Sequence, residues 1–180
     1  MFVVLVNAAA ASVASAALDP LATVWNSAAS TPPTDRRFNP DQQISILAAA
    51  EAAAPNPAAA AAIAFATRQL GLPYVWGGNG PAKGDAGFDC SGLTMAAYAS
   101  AGIDIPRTAT EQYRHGPGVP LSPLRPGDLI FYGNSSFAHH VGIFVGAGVI
   151  LDAPKTGTVV RLDPLAADDL FAATRPTADR

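Results

Sequence analysis

The sequence predicts an α+β domain, an antiparallel sheet packed on one side by helices. Three observations carry this. Helical patterns dominate up to about residue 101, and four short β-type runs follow between residues 128 and 162. Gly, Pro, Asn and Ser separate those runs at hairpin-like spacing.

Taken in order, Met1 to Leu18 is apolar and ends in small residues, with Ala14-Ser15-Ala16 resembling a signal-peptidase site. No Lys or Arg precedes Arg36, so the charged start of an export signal is missing, and the run is short for a membrane span. A signal, a membrane remnant and an Ala-rich helix all stay open. Residues 19–57 mix Pro, Asp, Ser and Asn as a linker or pro-segment would, with one short helix expected from Ile44 to Ala54. The organised domain is expected over 58–170, with 171–180 as a tail.

Ala58 to Leu70 is alanine-rich with apolar Ile63 and Phe65, and Gly71 stops it, which predicts a helix. Leu72 to Gly78 reads as an extended, turn-bounded segment. Ser91 to Ala101 predicts a second helix, stopped by Gly102. The strands are expected at Asp128–Tyr132, His140–Val145, Val149–Ala153 and Thr158–Leu162.

Bulk properties exclude several function classes. The chain has 180 residues and a net charge of −3, so it has no general attraction for nucleic acid. One cysteine cannot form an intrachain disulfide. One Cys and scattered His do not make a metal set, and no cofactor is implied.

That single cysteine, Cys90, is the candidate nucleophile. A lone Cys is by default a small buried hydrophobe. Here it stands at or just before a helix N-terminus, where unpaired N–H groups and the positive end of the helix dipole favour an anionic sulfur. The same amides can hold a tetrahedral oxyanion. A catalytic reading requires a histidine and an orienting group.

The chain has three histidines. His115 lies in a Gly/Pro loop. His139 and His140 are adjacent at a strand start, so they point to opposite faces, and alternation alone does not say which faces inward. The turn at Gly146 to Gly148 would bring Asp152 opposite His140, directly or on the diagonal. Asp152 is either a strand-end residue in solvent or an orienter that fixes the imidazole. Cys90, His140 and Asp152 together would suit acyl transfer through a thioester.

Five ordered motifs resemble the NlpC/P60 cysteine peptidases: Leu72 to Gly78 (LPYVWGG), Phe88 to Leu93 (FDCSGL), Ile105 to Thr108 (IPRT), Leu124 to Phe131 (LRPGDLIF) and His140 to Gly146 (HVGIFVG). The resemblance runs from about Ala58 to Leu165. It implies a papain-like fold and a secreted or envelope-associated, monomeric endopeptidase. The implied substrate is the peptidoglycan stem peptide, cut at the γ-D-glutamyl–meso-diaminopimelate bond. It also implies Cys90 as nucleophile, His140 as base and Tyr74 as a hydroxyl donor near the sulfur. Asp89 and Ser91 would contact substrate, as would Trp76 and Arg107. Each has a structural alternative: core aromatics for Tyr74 and Trp76, helix capping for Asp89 and Ser91, an ion pair for Arg107. The third triad position is more often His in the family, and members with altered triads bind peptidoglycan without cutting it. Membrane or secretion-apparatus association through the N-terminal segment is a further expectation.

Overall fold

The computed structural model describes residues 37–176. The apolar stretch 1–18, and the part of the expected linker before Arg37, lie outside the described residues.

Four α-helices come first: α1 (Pro40–Ala52), α2 (Pro57–Thr67), α3 (Cys90–Ser100) and α4 (Ala109–His115). Six strands follow: β1 (Gly118–Val119), β2 (Leu129–Gly133), β3 (Ala138–Gly146), β4 (Val149–Asp152), β5 (Arg161–Pro164) and β6 (Leu170–Thr174). They form one antiparallel sheet in the order β1-β6-β2-β3-β4-β5. The α+β expectation therefore holds.

The packed unit extends past both expected limits. Asn39 caps α1 in a reciprocal capping box with Gln42, so the helix starts four residues before Ile44. Leu47 and Ala50 of α1 are buried in the same core as α2 and β3. At the other end, β6 runs from Leu170, the last residue of the expected domain, four residues into the expected tail and pairs with β2. Its Leu-Phe-Ala-Ala-Thr sequence has little β-propensity of its own; pairing on both edges makes it a strand. Arg175 then donates to both oxygens of fully buried Asp128, at 2.6 and 2.8 Å, and ties the segment just after β6 to the start of β2.

The fourth expected strand is shifted. The amide of Tyr74 donates to Thr158 and that of Val160 to Leu72, so residues 158–160 run against the extended segment before α3. Only Arg161–Pro164 pairs with β4.

The sheet has two apolar faces. Leu129, Phe131, Val141, Ile143 and Val145 pack under the helices with Ile63, Leu93 and Tyr98. Ile130, Tyr132, Phe144 and Ile150 form a smaller cluster on the other face. Buried Gln112 of α4 donates to the carbonyls of Ser91 and Pro106, at 2.9 and 2.8 Å, and accepts from Thr94 at 2.8 Å. These bonds lock α4 onto the first turn of α3. Among the described residues no helix is long and apolar enough to cross a membrane.

Candidate active site

Cys90 is the first residue of α3, and Asp89 is its N-cap, accepting from Gly92 N–H at 2.6 Å. The cap engages Gly92 and leaves the amides of Cys90 and Ser91 to other partners. Those two N–H groups, at the positive end of the helix, flank the sulfur.

The segment before the helix is laced to it by backbone bonds. Val75 donates to Phe88 at 2.9 Å, Phe88 to Pro73 at 3.2 Å and Asp89 to Gly78 at 3.2 Å. The approach needs glycine: a Cβ on Gly92 would stand 2.1 Å from the Gly78 carbonyl oxygen. The lacing puts Tyr74 and Trp76 in one cleft with Cys90, Asp89, Ser91 and Arg107. Burial raises the Tyr74 phenol above its usual pKa, the negative charges of Cys90 and Asp89 raise it further, and Arg107 opposes them. Tyr74 thus holds its proton more tightly in the cleft that Cys90 also lines.

His140 lies directly opposite Tyr132 in the β2–β3 ladder. Their ring centroids are 5.7 Å apart. Its partner across the next strand is diagonal. Ile143 pairs Leu151, so Asp152 falls beside Gly142, two residues from His140. Gly142 leaves the room that this diagonal needs, since a Cβ there would meet Asp152 Cβ at 3.2 Å. His140 Nε2 and Asp152 Oδ2 are 2.6 Å apart, with the side chains 16% and 2% exposed.

Burial works against both charges, but the partners decide the outcome. Burial alone would lower the His140 pKa. Hydrogen bonding to Asp152 and to Cys90, with their negative charge, pushes it up to about 10. Asp152 is raised, first by burial and then by Asp163, with His140 and Arg161 opposing. Since Nε2 faces Asp152, Nδ1 is the nitrogen left for Cys90.

His139 takes a different partner, Asp169 Oδ2 at 2.6 Å, and both side chains are about half exposed. His115 sits at the end of α4.

The structural alternatives account for Asp89 and Arg107. Arg107 donates to Asp89 Oδ1 and Oδ2 at 3.0 and 2.7 Å and to Ser91 Oγ at 3.0 Å. Gly77 N–H takes Asp89 Oδ2 as well, at 3.0 Å. Trp76 is not a core aromatic, being 87% exposed on the cleft wall. Sequence reasoning missed Phe137, which lines the same cleft from the β2–β3 loop. Its only sequence signal is an aromatic beside a turn, Asn134-Ser135-Ser136. It also missed Gly142, whose role appears only once the strand register is known. Among the described residues no His/Cys/Asp/Glu group is arranged to hold a metal ion.

Residues 71–172 match the NlpC/P60 family. The peptidoglycan endopeptidase RipA of Mycobacterium tuberculosis is 43% identical over 106 residues, 54% of this chain and 22% of that protein. The gamma-D-glutamyl-L-lysine dipeptidyl-peptidase of Bacillus subtilis is 43% identical over 96 residues, 52% of this chain and 31% of that protein. The chain thus spans a third or less of these relatives' length. Among solved structures, a RipA mutant superposes with a TM-score of 0.61 at 37% identity, over 66% of this chain and 62% of that one. RipD of Mycobacterium tuberculosis, described as a non-catalytic NlpC/p60 domain protein adapted to peptidoglycan binding, superposes at 0.58 with 32% identity, over 67% and 98%.

Proposed function

From a chain that belongs to the NlpC/P60 family, we propose a cysteine endopeptidase that hydrolyses peptidoglycan stem peptides with Cys90, His140 and Asp152. The observation that carries it is the buried His140–Asp152 contact of 2.6 Å, with His140 pushed up to about 10 by Asp152 and Cys90 together. A histidine beside a cysteine activates the sulfur for attack on a carbonyl.

In the proposed reaction the Cys90 sulfur attacks the amide carbon. The oxyanion meets the backbone amides at the α3 start and the Tyr74 hydroxyl. His140 gives its proton to the leaving nitrogen, and a thioester remains on Cys90. His140, now neutral, takes a proton from water, which attacks the thioester and releases the acid. Asp152 keeps the imidazole aimed through both steps. The bond we propose is γ-D-glutamyl–meso-diaminopimelate, and the site of action is the cell envelope or outside it. No cofactor is required by this chemistry.

The acidic third residue has support among relatives. Solved RipA structures carry mutations at a cysteine, a histidine and a glutamate, and the last two lie 12 positions apart, as His140 and Asp152 do.

A second reading, a non-catalytic peptidoglycan-binding module, is favoured by the RipD likeness. Digestion of purified muropeptides, with products weighed by mass spectrometry, separates the two. Cleaved stems that stay intact with Cys90→Ala support the peptidase. Intact stems with the wild-type chain, retained on pull-down, support the binder.

A further inference from the structure

Tyr132 stands beside the His140–Asp152 pair and has no part in the reaction described above. It is the residue paired with His140 across the β2–β3 ladder, and the two rings lie 5.7 Å apart at an angle of 37°. The side chain is buried in the small cluster with Ile130, Phe144 and Ile150.

Its polar end is unusual. Buried tyrosine hydroxyls ordinarily find a hydrogen-bond partner, yet the proton of this one has no acceptor. Asp152 shows the complementary gap. Its Oδ2 meets His140 at 2.6 Å, while its Oδ1 is buried without a hydrogen bond. Both residues line one cavity, together with Asp163 and Asp169. The buried donor and the buried acceptor are therefore neighbours, each short of a partner.

A hydroxyl proton rotates to the strongest acceptor field around it. Burial raises the Tyr132 phenol to about 12, and among the carboxylates Asp152 adds most, ahead of Asp169 and Asp163, with the Ala166 amide opposing. The other two carboxylates are engaged elsewhere. Asp169 Oδ2 holds His139 at 2.6 Å, and Asp163 takes Arg161 at 2.9 Å with Arg37 at 3.6 Å. The strongest field on the Tyr132 proton is thus that of Asp152.

Asp152 needs such help. Burial presses it towards its neutral form and Asp163 presses the same way, against His140 and Arg161. A neutral Asp152 would no longer stabilise an imidazolium. In a buried site even an uncharged O–H dipole acts strongly on a neighbouring charge.

We propose that Tyr132 is a positioning residue for the reaction: its hydroxyl directs its proton at Asp152 and keeps that carboxylate charged and aimed at His140. The inference deepens the peptidase reading, on which its effect on turnover rests.

The test is a double-mutant cycle in the full chain. Tyr132→Phe keeps the ring and removes only the hydroxyl. It is expected to lower kcat on muropeptides about five- to tenfold, with KM within about twofold and no loss in the denaturant midpoint. In an Asp152→Asn background the same change is expected to cost less than about twofold, as for a residue that acts through the charge of Asp152. Equal losses in both backgrounds overturn the inference, as does a Tyr132→Phe chain with wild-type kcat. Coupling to Asp163→Asn in place of Asp152→Asn overturns it too.

A second measurement needs no turnover. In Cys90→Ala, the proton that His140 Nε2 shares with Asp152 is followed by NMR. Tyr132→Phe is expected to speed its exchange with water about fivefold. Faster exchange in a chain whose wild type cleaves nothing removes the peptidase and keeps the inference. Cleavage with unchanged exchange does the reverse.

Discussion

His139 and His140 are neighbours in the chain, and each holds an aspartate oxygen 2.6 Å from Nε2. By distance the two pairs are the same. They differ in water: His139 and Asp169 are 48% and 50% exposed, His140 and Asp152 only 16% and 2%. Exposed ion pairs are screened and worth little, whereas a buried carboxylate acts at full strength on its neighbour. Only His140 has its pKa raised by Cys90, although His139 is the histidine that lines the Cys90 cleft. Burial, and not contact distance, separates a rim interaction from a proposed catalytic dyad.

The sharpest way to break this comparison is to remove one histidine at a time. His140→Ala is expected to lower kcat/KM on muropeptides about 10³-fold or more, as loss of a catalytic base does. His139→Ala is expected to stay within about threefold. Normal turnover by His140→Ala would move the base to His139.

The aspartates come next. Asp152→Asn retains the shape but removes the charge that sets the imidazole, and kcat should fall by about 10²- to 10⁴-fold. Asp169→Asn, tested in the same assay, should leave kcat close to wild type. Equal losses would show that exposure does not separate the pairs.

The pH dependence is a smaller effect with a definite sign. His140 is pushed up to about 10 from the ordinary 6.5, so the folded state binds its proton more tightly than the unfolded chain. The stability this contributes is complete below about pH 6.5 and is lost as pH rises to about 10. NMR of the imidazole Cε1–H should show His140 cationic at pH 8, and Asp152→Asn should bring its titration down. A neutral His140 at pH 8 in the wild-type chain would count against the ion pair.

The smallest expected effect is at Gly142. A methyl there meets Ile150 Cδ1 at 3.1 Å and Asp152 Cβ at 3.2 Å, so Asp152 must shift by a few tenths of an ångström. Gly142→Ala should destabilise by about 1–3 kcal/mol, as overpacking does. It should also lower kcat severalfold with KM little changed. Denaturant midpoints and steady-state kinetics read the two effects separately.

Much of this was legible in the sequence where the signals are local. The Gly stop after Ala101, the cap at Asp89 and the Gly146–Gly148 turn follow from backbone preferences within a few residues, and they place α3 and the β3–β4 hairpin. The elements that escaped are those without a local signal. β6 is built from Leu, Phe, Ala and Thr and is a strand because β1 and β2 flank it. Residues 158–160 have the composition of a sheet strand, yet they pair with the segment at 71–74. The role of Asp89 depended on the guanidinium of Arg107, 18 residues away, which occupies both its oxygens.

The sequence by itself determined the α+β layout, the cysteine at a helix N-terminus and the hairpin that brings an aspartate near His140, because capping, periodicity and turn chemistry act over a few residues. Only the tertiary structure decided that His140 takes the buried aspartate and His139 the exposed one. It also decided that Asp89 is saturated and that Phe137 faces the cleft. Burial, diagonal contact and exposure arise from how separate strands and loops pack, and no short stretch of sequence encodes them.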